Sequence, residues 1–211
     1  MDPKQNYYDK RGEVLVKNLK SRKFEAWYCA TRDEALEKAL SLIPTGSVGG
    51  WGGATSAQDI GLLDVMRTGD YREIDRDKAP TPEERVQAMR QCLLSDVFIT
   101  GANAISLEGE MVNIDGMGNR VAAIVYGPQK IIVVAGMNKG VDTLEDALTR
   151  ARTVAAPMNQ QRFGLPNPCT CTGVCADCLT ETSICNQILI TRNCKPAGRI
   201  KFVLVGEELG F

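Results

Sequence analysis

Histidine is missing from the chain altogether. Its absence excludes a Ser-His-Asp or Cys-His mechanism, and it leaves thiolates, with carboxylates behind them, as the side chains that can hold a metal. An excess of charge of one sign is missing too. The 25 lysines and arginines stand against 26 aspartates and glutamates, for a net charge of -1, and the signs are mixed without a basic stripe, which argues against nucleic-acid binding. No apolar run approaches the length needed to span a membrane. The charged opening MDPKQNYYDKRGEVLVKNLK lacks the apolar segment of a secretory signal, so the expected location is the cytoplasm. No linker, internal repeat or low-complexity tract divides the 211 residues. One domain over 1–211 is expected, large enough to bury a core without staples.

Cysteine, by contrast, is plentiful and clustered. Five of the eight cysteines fall in PCTCTGVCADCLTETSIC, within an expected insertion at 166–186. In a reducing compartment such a cluster points to metal binding or thiol chemistry rather than a disulfide framework. The most regular set of four is Cys169, Cys175, Cys178 and Cys185, spaced C-x5-C-x2-C-x6-C with Gly173 at the turn and Cys171 to spare. Zinc and an iron-sulfur cluster both accept four thiolates, and spacing does not choose between them. The alternative is a loop of free or disulfide-linked cysteines.

Taken in order, residues 1–22 read as a charged amphipathic helix. Thr31 with Glu34 three residues later marks the start of a second helix, which Pro44 ends. A short strand at 47–49 then enters the glycine-rich GGWGGATSAQDIGLLDVM. A strand leading through Gly50, Trp51, Gly52 and Gly53 to Thr55 or Ser56 can aim free backbone N–H groups at an anion. The stretch is neither a P-loop nor a clear GxGxxG fingerprint, and the alternative is a tight turn packed around Trp51. Thr81-Pro82-Glu83-Glu84 opens another helix. Strands are expected at 97–100, 110–114, 121–126, 130–135, 186–191 and 199–205, with a helix from Thr143. The nearly continuous aliphatic runs within 121–126 and 130–135 read as strands buried on both faces, the pattern of a mainly parallel sheet between two helical layers. The fold class is therefore α/β, a three-layer Rossmann-like sheet with a cysteine-rich loop near the C-terminus.

GGWGGATS with DIGLLD, GANAISLEGEMVNIDGMGNRVAAIVYGPQKIIVVAGMNK, APMNQQR, PCTCTGVCADC and VGEELGF, in that order, resemble the lactate-utilisation (LUD) domain family over nearly the whole chain. The resemblance implies a fold like that of the CoA-transferases and ribose-5-phosphate isomerases. It also implies a setting in lactate or related organic-acid metabolism, in which some members work with partner subunits carrying iron-sulfur clusters. By position, Glu108 or Glu110 falls in the region of the isomerases' catalytic carboxylate. Asn103, however, stands where several of those relatives have an aspartate, which counts against isomerase chemistry.

Ligands on such sheets lie beyond the carboxyl ends of the strands. Asn103, Glu108, Asn138 and Lys139 follow expected strand ends, and Asn119 and Arg120 precede the expected strand at 121–126. Lys139 and Arg120 are candidates to hold an anion and Glu108 to move a proton, with Lys139 as the second catalytic candidate. The alternatives are a solvated loop lysine, edge-strand charges and asparagines that close turns. Three functions stay open: a component that binds a small anionic metabolite, an iron-sulfur electron-transfer subunit of a lactate-oxidising complex, and a non-catalytic regulatory module with structural zinc. Domains of this size frequently pair, so a homodimer is an expected state.

Overall fold

The apolar run at 130–135 is expected to be a strand covered on both sides, and 97–100 an apolar strand. In the computed structural model of the chain, which describes residues 2–211, both lie inside a parallel sheet. Among these residues the strands are β1 (Glu25–Cys29), β2 (Val48–Gly52), β3 (Arg72–Ile74), β4 (Val97–Thr100), β5 (Ala104–Ser106), β6 (Met111–Asp115), β7 (Lys130–Gly136), β8 (Gly140–Val141), β9 (Gln187–Thr191) and β10 (Ile200–Val205). The helices are α1 (Pro3–Ser21), α2 (Arg32–Ser41), α3 (Thr55–Asp59), α4 (Leu62–Thr68), α5 (Pro82–Gln91), α6 (Asn119–Tyr126), α7 (Leu144–Arg150), α8 (Ala156–Gln161) and α9 (Pro168–Thr172). The main sheet runs β1-β10-β7-β4-β2-β3, all parallel, and a smaller sheet runs β8-β5-β6-β9 with β6 antiparallel to both neighbours.

Alternation along the central strands divides the core into two layers. Phe98, Ile131, Val133, Phe202 and Leu204 pack with Leu15 and Leu19 of α1 and Ala123 and Ile124 of α6. Val97, Ile99, Ile132, Val134 and Val203 point the other way, toward Ala35 and Ala39 of α2 and Leu62, Leu63 and Met66 of α4. This is a three-layer, Rossmann-like α/β fold. The helix starts read from sequence are realised as caps: Thr31 Oγ1 accepts from Glu34 N at 3.3 Å, Thr81 Oγ1 from Glu84 N at 3.2 Å and Thr143 Oγ1 from Asp146 N at 3.1 Å. No helix among the described residues is long and apolar enough to cross a membrane.

One expected strand is corrected. Residues 121–126 form most of α6, because Gly118 turns the chain at φ 85° and Asp115 Oδ2 accepts from Arg120 N at 3.0 Å and Val121 N at 3.2 Å, starting a helix. Ala123 and Ile124 are buried while Val125 and Tyr126 are exposed. The run is thus apolar on one helical face only, and its valines and isoleucine had mimicked a strand.

The chain reverses direction across the sheet between β2 and β4. The connection leaving β2 packs α4 on the α2 side, whereas the connection leaving β4 places α6 on the α1 side. The two loops part here and leave a crevice at the carboxyl ends of these strands.

Candidate anion-binding cavity

A cavity of about 310 Å³ occupies this crevice. Gly53 after β2, Ala102 and Asn103 after β4, and Lys139 after β7 form its floor, while Asp115 to Met117 and α6 supply a wall. A long helical stretch runs from α7 through a π-helical segment at Ala151–Ala155 into α8. It brings Asn159, Arg162 and Phe163 over the opening. Five cationic side chains line the cavity, Arg76, Arg85, Arg120, Lys139 and Arg162, against one acidic side chain, Asp115. That carboxylate is already committed to the start of α6 and lies 3.7 Å from Arg120 Nε.

Arg120 is fixed on the cavity side of α6. Its Nη2 donates to Asn103 Oδ1 at 3.0 Å and to the Ile114 carbonyl, and Asn103 Oδ1 also accepts from Ile114 N at 2.8 Å. Asn119, turned so that its oxygen faces Arg76, accepts from Arg76 Nη1 at 3.0 Å. Burial pushes the pKa of Arg76 and Arg120 below the ordinary guanidinium value. These cations have lost water without gaining a full set of counter-charges, so an entering anion finds them poorly solvated.

Lys139 is 4% exposed, and its Nζ donates to Ser56 Oγ at 2.9 Å. No carboxylate lies within ion-pair distance of it among the described residues. Burial first, then the charges of Arg150 and Arg120, lower its pKa to about 7, with Asp59 opposing them. Ser56, 1% exposed, in turn donates to the Leu209 carbonyl at 3.3 Å.

The sequence candidates are thus distributed unevenly. Gly53, Thr55, Asn103, Asn119, Arg120 and Lys139 line the cavity, and Ser56 holds Lys139 from behind. Gly50 lies inside β2, where a Cβ would come within 2.5 Å of Cys92 Sγ, so its small size serves packing. Trp51 is 4% exposed in the opposite layer, with Arg67 5.3 Å from its ring centroid. Gly52 passes behind Asn119 and Arg120. Asn138 anchors the last residues instead, accepting from Leu209 N at 3.2 Å. Glu108 is exposed in the turn before β6, its carbonyl accepting from Arg22 Nε at 2.6 Å, away from the cavity. Glu110 is buried against Arg22 and Ser106. Arg76, Arg85 and Arg162 are cavity residues that the sequence reading passed over. Of these, only Arg162 left a signal, as the last residue of APMNQQR.

The cysteine segment hangs between α8 and β9. It is folded around buried Asn167, whose Oδ1 accepts from Thr180 and from Thr182 Oγ1, and it reaches the cavity rim through Ile184. All eight cysteines are free thiols. Burial, followed by the neighbouring Cys175, Cys169 and Cys178, pushes the Cys185 thiol up to about 11, and Cys178 and Cys175 act in the same sense on Cys169. The donor chemistry suits a soft ion, but among the described residues no three His, Cys, Asp or Glu side chains already stand as a metal cage.

A family model described as the LUD domain matches residues 12–205. Among solved structures, the chain is similar to a DUF162 family protein from Deinococcus radiodurans, with 14% sequence identity, 95% of this chain and 97% of that one covered, and a TM-score of 0.49. No curated protein matches it.

Proposed function

The chain belongs to the LUD domain family, and from that premise we propose that it is a component of lactate or related organic-acid utilisation that binds a small anionic metabolite in the cavity between β2 and β4. The observation that carries this reading is the imbalance of charge among the lining side chains, five cations, two of them also paired with Asp77 outside the lining, around one already occupied carboxylate. A carboxylate or phosphate entering there exchanges water for hydrogen bonds to guanidinium groups, each worth about 1.5–3 kcal/mol. Arg162 is the group to change first. It is held by Thr55 Oγ1 at 3.2 Å and by the faces of Phe163 and Phe211, and no structural ion pair depends on it. Calorimetry and thermal unfolding with L-lactate, pyruvate and phosphorylated three-carbon acids should reveal a ligand that raises Tm. Its affinity should fall about tenfold or more in Arg162→Ala. If neither carboxylates nor phosphates stabilise the protein, the reading is overturned.

A second reading concerns the cysteine segment, and the spacing of Cys169, Cys175, Cys178 and Cys185, with the first three acting electrostatically on the fourth, favours it. We propose that these four take zinc or an iron-sulfur cluster. Zinc would leave the loop as a scaffold, whereas a cluster would supply one-electron chemistry beside the cavity. The high pKa of the Cys185 thiol has a consequence. The ligands lose protons on binding, so metal retention should rise with pH and fall on acidification. Metal analysis of protein purified without oxygen should find zinc or iron in stoichiometric amount, and Cys175→Ser should lose it. Metal-free protein would remove this reading and leave the cavity reading untouched.

A further inference from the structure

The most unusual group that anion binding alone does not use is the amine of Lys139. An amine whose only task is to hold an anion works best fully charged and needs no shielding from solvent. Lys139 is arranged otherwise. It is 4% exposed yet faces the cavity, no carboxylate lies within ion-pair distance, and its hydrogen-bond partner is a neutral hydroxyl, Ser56 Oγ at 2.9 Å. Arg120 and Arg150 act on it with like charge, and Asp59 is the carboxylate that opposes them. Desolvation next to other cations is a recurrent way to keep a lysine amine free near neutrality, where it attacks carbonyl carbon.

We infer that Lys139 is a nucleophile that forms an imine with a small aldehyde or ketone whose carboxylate or phosphate is held by the cavity arginines. This inference rests on the cavity being an anion site and assigns its ligand a second feature, a carbonyl group. The Nζ lone pair adds to the carbonyl carbon, and the carbonyl oxygen takes up a proton to become a hydroxyl. The nitrogen loses a proton, the hydroxyl takes up another and departs as water, and a C=N bond remains. No oxidant or reductant is consumed. Ser56 Oγ, already bonded to Nζ, is the neighbouring group able to relay a proton during these steps. The placement supports the reaction: Lys139 sits on the cavity floor, and Arg120 and Arg162 rise from α6 and the end of α8, so one small molecule can meet a guanidinium with its anionic end and the amine with its carbonyl.

The test uses the full chain at pH 7 with cyanoborohydride, which reduces an imine to a stable amine. The probes are pyruvate and glyceraldehyde 3-phosphate, which separate carboxylate from phosphate recognition, with L-lactate as the control that lacks a carbonyl. Intact mass and peptide mapping should show one reduced adduct per chain on the peptide carrying Lys139 with at least one probe, and none with lactate. Lys139→Arg should abolish that adduct. A probe that raises Tm without labelling Lys139 overturns the imine and leaves the anion site standing. Labelling confined to exposed lysines does the same. Failure of every probe both to stabilise and to label removes the anion site and the imine together.

Discussion

Replacing Phe202 with alanine lowers the free energy of unfolding by about 3–5 kcal/mol. Phe202 has no exposed surface, lies in the middle of β10, and meets the ring of Phe24 edge-on with centroids 5.3 Å apart. Collapse of the surroundings cannot fill the space it leaves, because β10 is clamped in parallel register between β1 and β7 and α1 is held by Leu15 and Leu19 in the same layer. The cavity penalty is therefore paid nearly in full. Urea unfolding followed by circular dichroism should show a lower midpoint at unchanged slope. A loss under about 1 kcal/mol would mean that the layer between α1 and the sheet can repack.

Gly53→Ala should damage both the fold and the cavity. Gly53 has φ +58°, a conformation that costs an L residue about 1–2 kcal/mol, and its new Cβ would meet Arg120 Nη1 at 2.5 Å and Cδ at 2.9 Å. Arg120 cannot step aside freely, since its guanidinium is tied to Asn103, Ile114 and Asp115. The expected outcome is destabilisation together with about a tenfold or greater loss of anion affinity. Gly46→Ala separates the two effects. Gly46 also has positive φ, +78°, but nothing lies within 4 Å of the added Cβ, so only stability should suffer there. Equal loss of binding in both variants would show that Gly53 acts through the fold alone.

What could be read in advance follows from how locally each feature is determined. The caps at Thr31, Thr81 and Thr143 involve residues three apart, so sequence spacing nearly contains them. The strand at 130–135 announces itself through continuous apolar character that burial on both faces explains, and the strand at 97–100 through a short run of β-branched and aromatic residues. The helix at 119–126 was misread because its start is set by Asp115 reaching forward across a left-handed Gly118, while its valines and isoleucine favour a strand. The site was legible where one segment sufficed, as for Lys139 after β7. Arg76 and Arg162 come to line one cavity only through the packing of two separate connections. Trp51 could not be placed from composition, since a single step along β2 decides which face of the sheet a residue joins. Glu108 was attractive by analogy of position, but the turn it occupies points to solvent.

The pairing of β1 with β10 joins segments about 175 residues apart along the chain, with β10 between β1 and β7. During synthesis, therefore, β1 leaves the ribosome long before the strand it pairs with. Until residues 200–205 emerge, β1 has no native strand partner and the open edge of β7 is bare. Such an edge invites pairing with other chains, so the sheet order exposes the newborn polypeptide to misassembly until β10 is made.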